Sequence, residues 1–127
     1  MDSDVTSDEY VSLRAAVGWP TMPVSVAEAA LRDSIAIAIE RDDDGRLIGF
    51  ARAIGDAFYV IVVDVMVDPD EQENGVGHRL LEQLLAAPQV AGAGHLSLFA
   101  APDATGLYES FGFEAGGGVY MRRTEET

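Results

Sequence analysis

Residues Val63 to Leu85 read VDVMVDPDEQENGVGHRLLEQLL, and the order of their parts decides the fold. An apolar strand runs into a turn at Pro69-Asp70. A polar loop then ends on Gly75-Val76-Gly77, and an amphipathic helix follows. Glycines where a strand hands over to a helix let backbone approach closely. The unpaired N–H groups of the helix's first turn point outward with a positive partial charge. Such a helix start takes phosphate.

Two common phosphate loops fail on named residues. A dinucleotide loop, G-x-G-x-x-G, would need a third glycine where Leu80 stands. A triphosphate loop needs G-x-x-x-x-G-K-[ST], and the chain has no lysine. The stretch Gln72-Glu73-Asn74-Gly75-Val76-Gly77 instead fits Q/R-x-x-G-x-G/A, preceded by Val67-Asp68-Pro69 and followed by His78-Arg79-Leu80-Leu81. In this it resembles the pyrophosphate loop of the GNAT superfamily of acyl-CoA-dependent N-acyltransferases. A second signature of that superfamily, a tyrosine followed by x-x-x-G-F, is matched by Tyr108-Glu109-Ser110-Phe111-Gly112-Phe113.

Outward from the loop, the chain reads as one domain over residues 1–127, with no internal repeat and no long linker. Thr6-x-x-Glu9 predicts a capping box for a helix carrying Tyr10, Leu13 and Val17 on one face and ending near Gly18. Ser25-x-x-Glu28 predicts a second box. Strands are expected from Ile35 to Glu40 and Arg46 to Ile54, around the hairpin signal Asp42-Asp43-Asp44-Gly45. Phe58 to Val67 reads as a central strand buried on both faces. The motif helix is expected from about Gly75 to Ala87, then a strand from His95 to Phe99 and a helix from Asp103 to Phe111 with Asp103 as N-cap. A last strand is expected from Val119 to Arg122. The class is α/β (α+β), and the resemblance implies the GNAT fold, a mixed and mostly antiparallel central sheet flanked by helices.

Composition narrows the partners. Twenty-two acidic residues face eight basic ones, all arginine, for a formal charge of −14. That surface repels nucleic acid and anionic membranes, so neither is expected as a partner. Without cysteine there is no thiolate nucleophile and no disulfide. With His78 and His95 the only imidazoles, no metal is expected. The acidic N-terminus is unlike a signal peptide and no apolar run approaches a membrane span, which predicts a cytoplasmic location. Complete replacement of lysine alongside the high negative charge predicts adaptation to a salt-rich, halophilic setting.

Two residues stand out as carriers of chemistry. Asp64 lies in the most apolar strand, where alternation places it on the face of Val62 and Met66. A carboxylate there needs a partner or a function. It could take a proton from a substrate ammonium through a water, hold that ammonium's charge, or bond to a neighbouring loop or arginine. Tyr108 would serve where a thiolate must leave, because a phenol of pKa about 10 can donate to it or hold it by a hydrogen bond.

The resemblance also runs through Val17-Gly18-Trp19-Pro20, Ala30-Leu31-Arg32-Asp33-Ser34, Gly49-Phe50-Ala51-Arg52-Ala53, Asp64-Val65-Met66-Val67-Asp68-Pro69 and Leu98-Phe99-Ala100. Over roughly residues 10–121 the pattern is similar to small plastid and cyanobacterial serotonin-type (arylalkylamine) N-acetyltransferases. It implies acetyl-CoA as co-substrate and direct attack by a primary amine on a small molecule or peptide. A homodimer is compatible with it. It implies that Gln72, Glu73, Asn74, Gly75, Val76, Gly77 and His78 hold the pyrophosphate, mostly through main-chain N–H. Val65, Met66 and Val67 would offer backbone groups to the pantetheine arm and thioester carbonyl. The chain departs from the pattern at Glu73 and Asn74, where glycine and a basic residue are usual. It departs again at His95 and Ala101, where Asn and Asp are usual. The rival readings are a protein lysine or N-terminal acetyltransferase and a non-catalytic CoA-binding interaction module.

Overall fold

The computed structural model describes residues 5–123. Helices α1 (Ser7–Ala16) and α2 (Val24–Arg32) precede strands β1 (Ala36–Arg41), β2 (Leu47–Gly55) and β3 (Tyr59–Val67). A 3-10 turn (Pro69–Glu71) leads into α3 (Val76–Leu85) and the short α4 (Pro88–Ala91). Strand β4 (His95–Leu98), a second 3-10 turn (Pro102–Ala104) and α5 (Thr105–Glu109) complete the regular structure of the described residues. The strands form one four-stranded sheet in the order β1-β2-β3-β4. The first three are antiparallel and β4 lies parallel to β3. The architecture is the expected mixed α/β arrangement.

Two apolar cores hold helices to opposite faces. Alternation along β2 sends Ala51 and Ala53 to the face covered by Val76, Leu80, Leu81 and Leu84 of α3. Phe50 goes to the other face, against Tyr10 and Leu13 of α1 and Ala27 of α2. Gly49 lets α3 press on the sheet: a Cβ there would stand 2.6 Å from Val76 Cγ1.

The capping box of α1 forms as expected. Glu9 N–H donates to Thr6 Oγ1 at 3.1 Å and Thr6 N–H to Glu9 Oε1 at 3.0 Å. The hairpin turn at Asp42–Gly45 also forms, with Gly45 at φ +85°.

Other expectations are corrected. Pro23, not Ser25, stands at the N-cap of α2, so Ser25 falls inside the first turn and caps nothing. The motif helix is shorter than expected: α3 stops at Leu85, and Pro88 opens the separate α4. Asp103 does not cap α5, because Pro102 starts a tighter turn and leaves Ala104 at the N-cap. Strand β3 is buried in part rather than throughout. The Asp56 carboxylate accepts from the N–H groups of Phe58, in the turn, and Tyr59, the first residue of β3, and both side chains are exposed. Val119 to Arg122 forms no strand; Val119 and Met121 are 83% and 84% exposed. Gly116-Gly117-Gly118 just before them have no side chains to bury, and ordering them is costly in entropy.

Candidate active site

The site begins with an irregularity in β3. Phe50 pairs with Met66 and Arg52 with Val63, so two steps along β2 match three along β3. The extra residue is a β-bulge, and within it Asp64 adopts φ +57°. The bulge switches faces. Val62 belongs to the α3-side core and Met66 to the α1-side core. The expected sharing of one face by Val62, Asp64 and Met66 therefore fails, because strict alternation does not survive an inserted residue.

Past the bulge the sheet opens. Pairing of β3 with β4 runs from Tyr59 opposite His95 to Val62 opposite Leu98 and ends there, although β3 continues to Val67. Among the described residues, 63–67 therefore have one edge without a partner strand. Val65 and Val67 are partly buried against the α3-side core, whereas the Met66 side chain is fully buried on the other side. Met66 can offer the opening only its backbone.

The loop at the end of β3 is pinned at several points. Asp68, only 6% exposed, accepts from Asp70 N–H at 2.9 Å and from Arg46 Nη1 at 2.8 Å. The backbone N–H of Asp70 and the Arg46 guanidinium hold its carboxyl below the usual carboxylate range. Gln72 Nε2 donates to the Val67 carbonyl at 3.2 Å, and Asn74 Nδ2 donates to Glu71 Oε1 at 3.2 Å. Glu73 and Gly75 both take positive φ, 77° and 80°.

The α3 N-terminus has no side-chain cap. Its first intrahelical donor is Arg79 N–H, to the Gly75 carbonyl at 3.1 Å. The N–H groups of Val76, Gly77 and His78 thus have no intrahelical acceptor and point out of the helix end. Arg79 braces the loop by donating to the Asn74 carbonyl at 3.1 Å, while Glu40 of β1 holds its guanidinium at 3.0 and 2.6 Å.

Helix α5 closes the site from the other end. A Cβ on Gly77 would lie 3.4 Å from Leu107 Cδ2 and 3.9 Å from Val67 Cγ2, so the loop, the end of β3 and α5 meet at that glycine. The ring of Phe111 packs on His78 with centroids 4.7 Å apart. Tyr108, next to Leu107, is half-buried against the same core, and its hydroxyl has no hydrogen-bond partner among the described residues. Burial pushes its phenol above the usual range near 10.

Asp64 is not free in this way. Its Oδ1 accepts from Arg14 Nη1 at 3.0 Å, and its Oδ2 accepts from Arg52 Nε at 2.7 Å and from the Tyr10 hydroxyl. These donors, together with Asp68 and Arg79, are what sequence reasoning missed. For Asp68 a signal existed, Asp-Pro at a turn. For the others, nothing local announces the partner.

The comparisons with known proteins complete the picture. The model of the acetyltransferase (GNAT) domain matches residues 32–115. The chain belongs to the GNAT acetyltransferases. The histone acetyltransferase TAP1 of Glycine max is 37% identical over 123 residues, covering 88% of this chain and 53% of that protein. A chloroplastic serotonin N-acetyltransferase 2 of Oryza sativa is 35% identical over 103 residues, covering 78% of this chain and 52% of the other. A solved probable acetyltransferase of Staphylococcus aureus superposes with TM-score 0.79 at 27% identity, covering 94% of each chain. This GNAT chain spans about half the length of the curated relatives it matches. The expected cytoplasmic location is overturned, since the rice relative and two from Arabidopsis thaliana are named chloroplastic. Composition could not have told: a location is set by receptor-read signals, not by the charge of a folded domain.

Proposed function

We propose that this GNAT domain transfers the acetyl group of acetyl-CoA to a primary amine by direct attack in a ternary complex. The observation that carries the proposal is the meeting at Gly77. There an uncapped helix start, the open edge of β3 and the helix bearing Tyr108 come into contact. The pyrophosphate would sit on the N–H groups of Val76, Gly77 and His78, within the loop Gln72–Gly75. The pantetheine arm would run along the unpaired edge of residues 63–67, adding to the sheet as a strand would.

The amine, after losing a proton to water, attacks the thioester carbonyl, and the new C–N bond forms as the carbonyl oxygen gains charge. Backbone N–H groups of the open edge stabilise that oxygen. Collapse breaks the C–S bond and restores the carbonyl; the Tyr108 hydroxyl gives its proton to the leaving thiolate or holds it by a hydrogen bond, and the second proton that the attacking nitrogen sheds passes to water, from which Tyr108, where it has donated, is reprotonated. The raised phenol pKa suits this role, because it keeps Tyr108 protonated throughout the physiological range. No cysteine is present to carry an acyl-enzyme.

A peptide amine is a second acceptor class. The charge of −14 favours cationic chains, and the Glycine max relative is named a histone acetyltransferase. We also propose that crowded carboxylates make the domain gain from salt. Thermal unfolding with added ligand tests the main reading. Acetyl-CoA at a hundredfold excess over its Kd should stabilise the fold by about 2.7 kcal/mol, and NADH and ATP should not. No shift with acetyl-CoA, or an equal one with ATP, would reject it.

A further inference from the structure

Asp64 combines a left-handed backbone inside a strand with a carboxylate bonded to three side chains. Its φ of +57° lies in the left-handed region, which β-branched and bulky residues avoid and which Asp tolerates better than most. The donors that meet its carboxylate come from outside β3. Tyr10 and Arg14 belong to α1, and Arg52 to β2. Each is itself fixed. Tyr10 is fully buried with its ring 5.0 Å from that of Phe50. Arg14 Nε donates to the Pro20 carbonyl at 2.8 Å, and its guanidinium lies over the Trp19 ring at 5.6 Å. Arg52 Nη1 reaches the Ala30 carbonyl and Ser34 Oγ, both at 3.3 Å, at the end of α2. The bulge is thereby tied to α1, to the loop after it and to α2.

We infer that Asp64 is a positioning residue that locks the β3 bulge, and with it the open edge of residues 63–67 on which the acetyl donor is laid. The inference rests on the function proposed above, and it replaces the reading of Asp64 as the group that takes the amine's proton. The donors support it. An arginine does not give up its proton in a protein, so the two guanidiniums holding Asp64 cannot serve as a relay. Tyr10, the remaining contact, is pushed up by burial and by the neighbouring Asp64 carboxylate, and stays protonated. What the arrangement does accomplish is mechanical. Without a ladder to β4, no strand among the described residues fixes 63–67 from that side. The bulge sets the direction in which their N–H and C=O groups point.

The test uses Asp64→Asn, Asp64→Gly and Asp64→Ala, together with Tyr10→Phe, which removes one bond to Asp64 and keeps the ring. Amide hydrogen exchange at Val65 and Met66 should speed up in every variant, including Tyr10→Phe, whatever the protein's activity. That readout does not depend on the proposed function. With acetyl-CoA, kcat/KM should fall about 10- to 100-fold in Asp64→Asn, as for a misplacement of about 1 Å. KM should rise along with the drop in kcat. Asp64→Ala, which resists a positive φ, should be worse than Asp64→Gly, and the acidic limb of the pH profile should not move in Tyr10→Phe or Asp64→Asn.

Movement or loss of that limb, with the glycine and alanine variants equally inactive, would make Asp64 the proton acceptor and overturn the inference. Lowered melting temperatures with unchanged kcat, KM and Val65 exchange would overturn it in favour of a bond that only stabilises the fold. If the unaltered protein neither binds nor uses acetyl-CoA while the exchange result holds, the acetyltransferase reading fails and the lock stands.

Discussion

Replacing Gly49 by alanine tests whether the sheet sets the position of the α3 start and of the loop proposed to hold the pyrophosphate. An alanine Cβ would lie 2.6 Å from Val76 Cγ1 and 3.1 Å from Leu80 Cδ1. Carbon atoms pack best at about 3.5–4.0 Å, so the first contact is short by about 1 Å. Val76 and Leu80 are 2% and 1% exposed, and neither can swing into solvent. Leu80 can yield at the far end of its side chain. Val76 is β-branched and sits on the first residue of α3, so relief there must move the helix start. Overpacking of this kind costs about 1–3 kcal/mol, from which about 0.5–1 kcal/mol is recovered because alanine is the better strand residue. A net loss of up to about 2.5 kcal/mol should appear in urea unfolding. The same movement shifts the N–H groups of Val76, Gly77 and His78, so acetyl-CoA should bind more weakly in calorimetric titration. Adding Val76→Ala removes the offending methyl, and the pair should be less damaged than the sum of the singles by roughly 1 kcal/mol. Additive effects, or a Gly49→Ala protein with full stability and affinity, would mean that the contact of Gly49 with Val76 does not set the start of α3.

Tyr108→Phe should lower kcat by about 10²- to 10⁴-fold with acetyl-CoA affinity nearly unchanged; stopped-flow turnover equal to the unaltered protein would leave the phenol a packing residue only. Glu9 is held down to about 2 from its ordinary 4.5, chiefly by its hydrogen bond from Arg41. A depressed carboxyl adds stability that is fully present above about 4.5 and is lost as pH falls towards 2. For a pair this open to solvent the amount is on the order of 1 kcal/mol, and Glu9→Gln should remove that part of the acid dependence seen by circular dichroism. Raising KCl to about 1 M shortens screening to about 3 Å, so melting temperature and acetyl-CoA affinity should both rise, with Glu73→Gln flattening the affinity trend. A steady loss of affinity with salt in a folded protein would contradict this.

The parts of the fold that were legible in the sequence are those written within a few residues. Thr6 and Glu9 stand three apart and cap each other, and Gly75 sits where only a left-handed residue lets the loop enter α3. The family likewise followed from two short signatures. The bulge was not legible, because one inserted residue in an apolar run leaves no mark on the pattern while exchanging the faces of everything beyond it. The partners of Asp64 were hidden for a different reason. Tyr10, Arg14 and Arg52 lie 54, 50 and 12 residues away, and only the packed sheet brings them together. Val119 to Arg122 had strand-forming residues but no pairing, which shows propensity without a partner failing to make a strand.

The scarcity of cations gives the ion pairs their importance. With no lysine and eight arginines, the chain places most of its guanidiniums where they join one element to another. Arg41 of β1 grips Glu9 of α1 at 2.7 and 3.1 Å, and Arg79 of α3 grips Glu40 of β1 at 2.6 and 3.0 Å. Arg46 holds Asp68 beneath the loop, and Arg14 and Arg52 hold Asp64 in the bulge. The planar fork of arginine suits such two-point grips in a way an ammonium does not. These short contacts act over no more than about one screening length, about 3 Å, even in about 1 M salt, whereas repulsion among the surplus carboxylates acts over longer distances. Salt therefore weakens the second more than the first. The pairs at the bulge, largely shielded from solvent at 13–15% side-chain exposure, are screened least of all. The cations that hold the bulge are thus the ones whose grip depends least on the ionic surroundings.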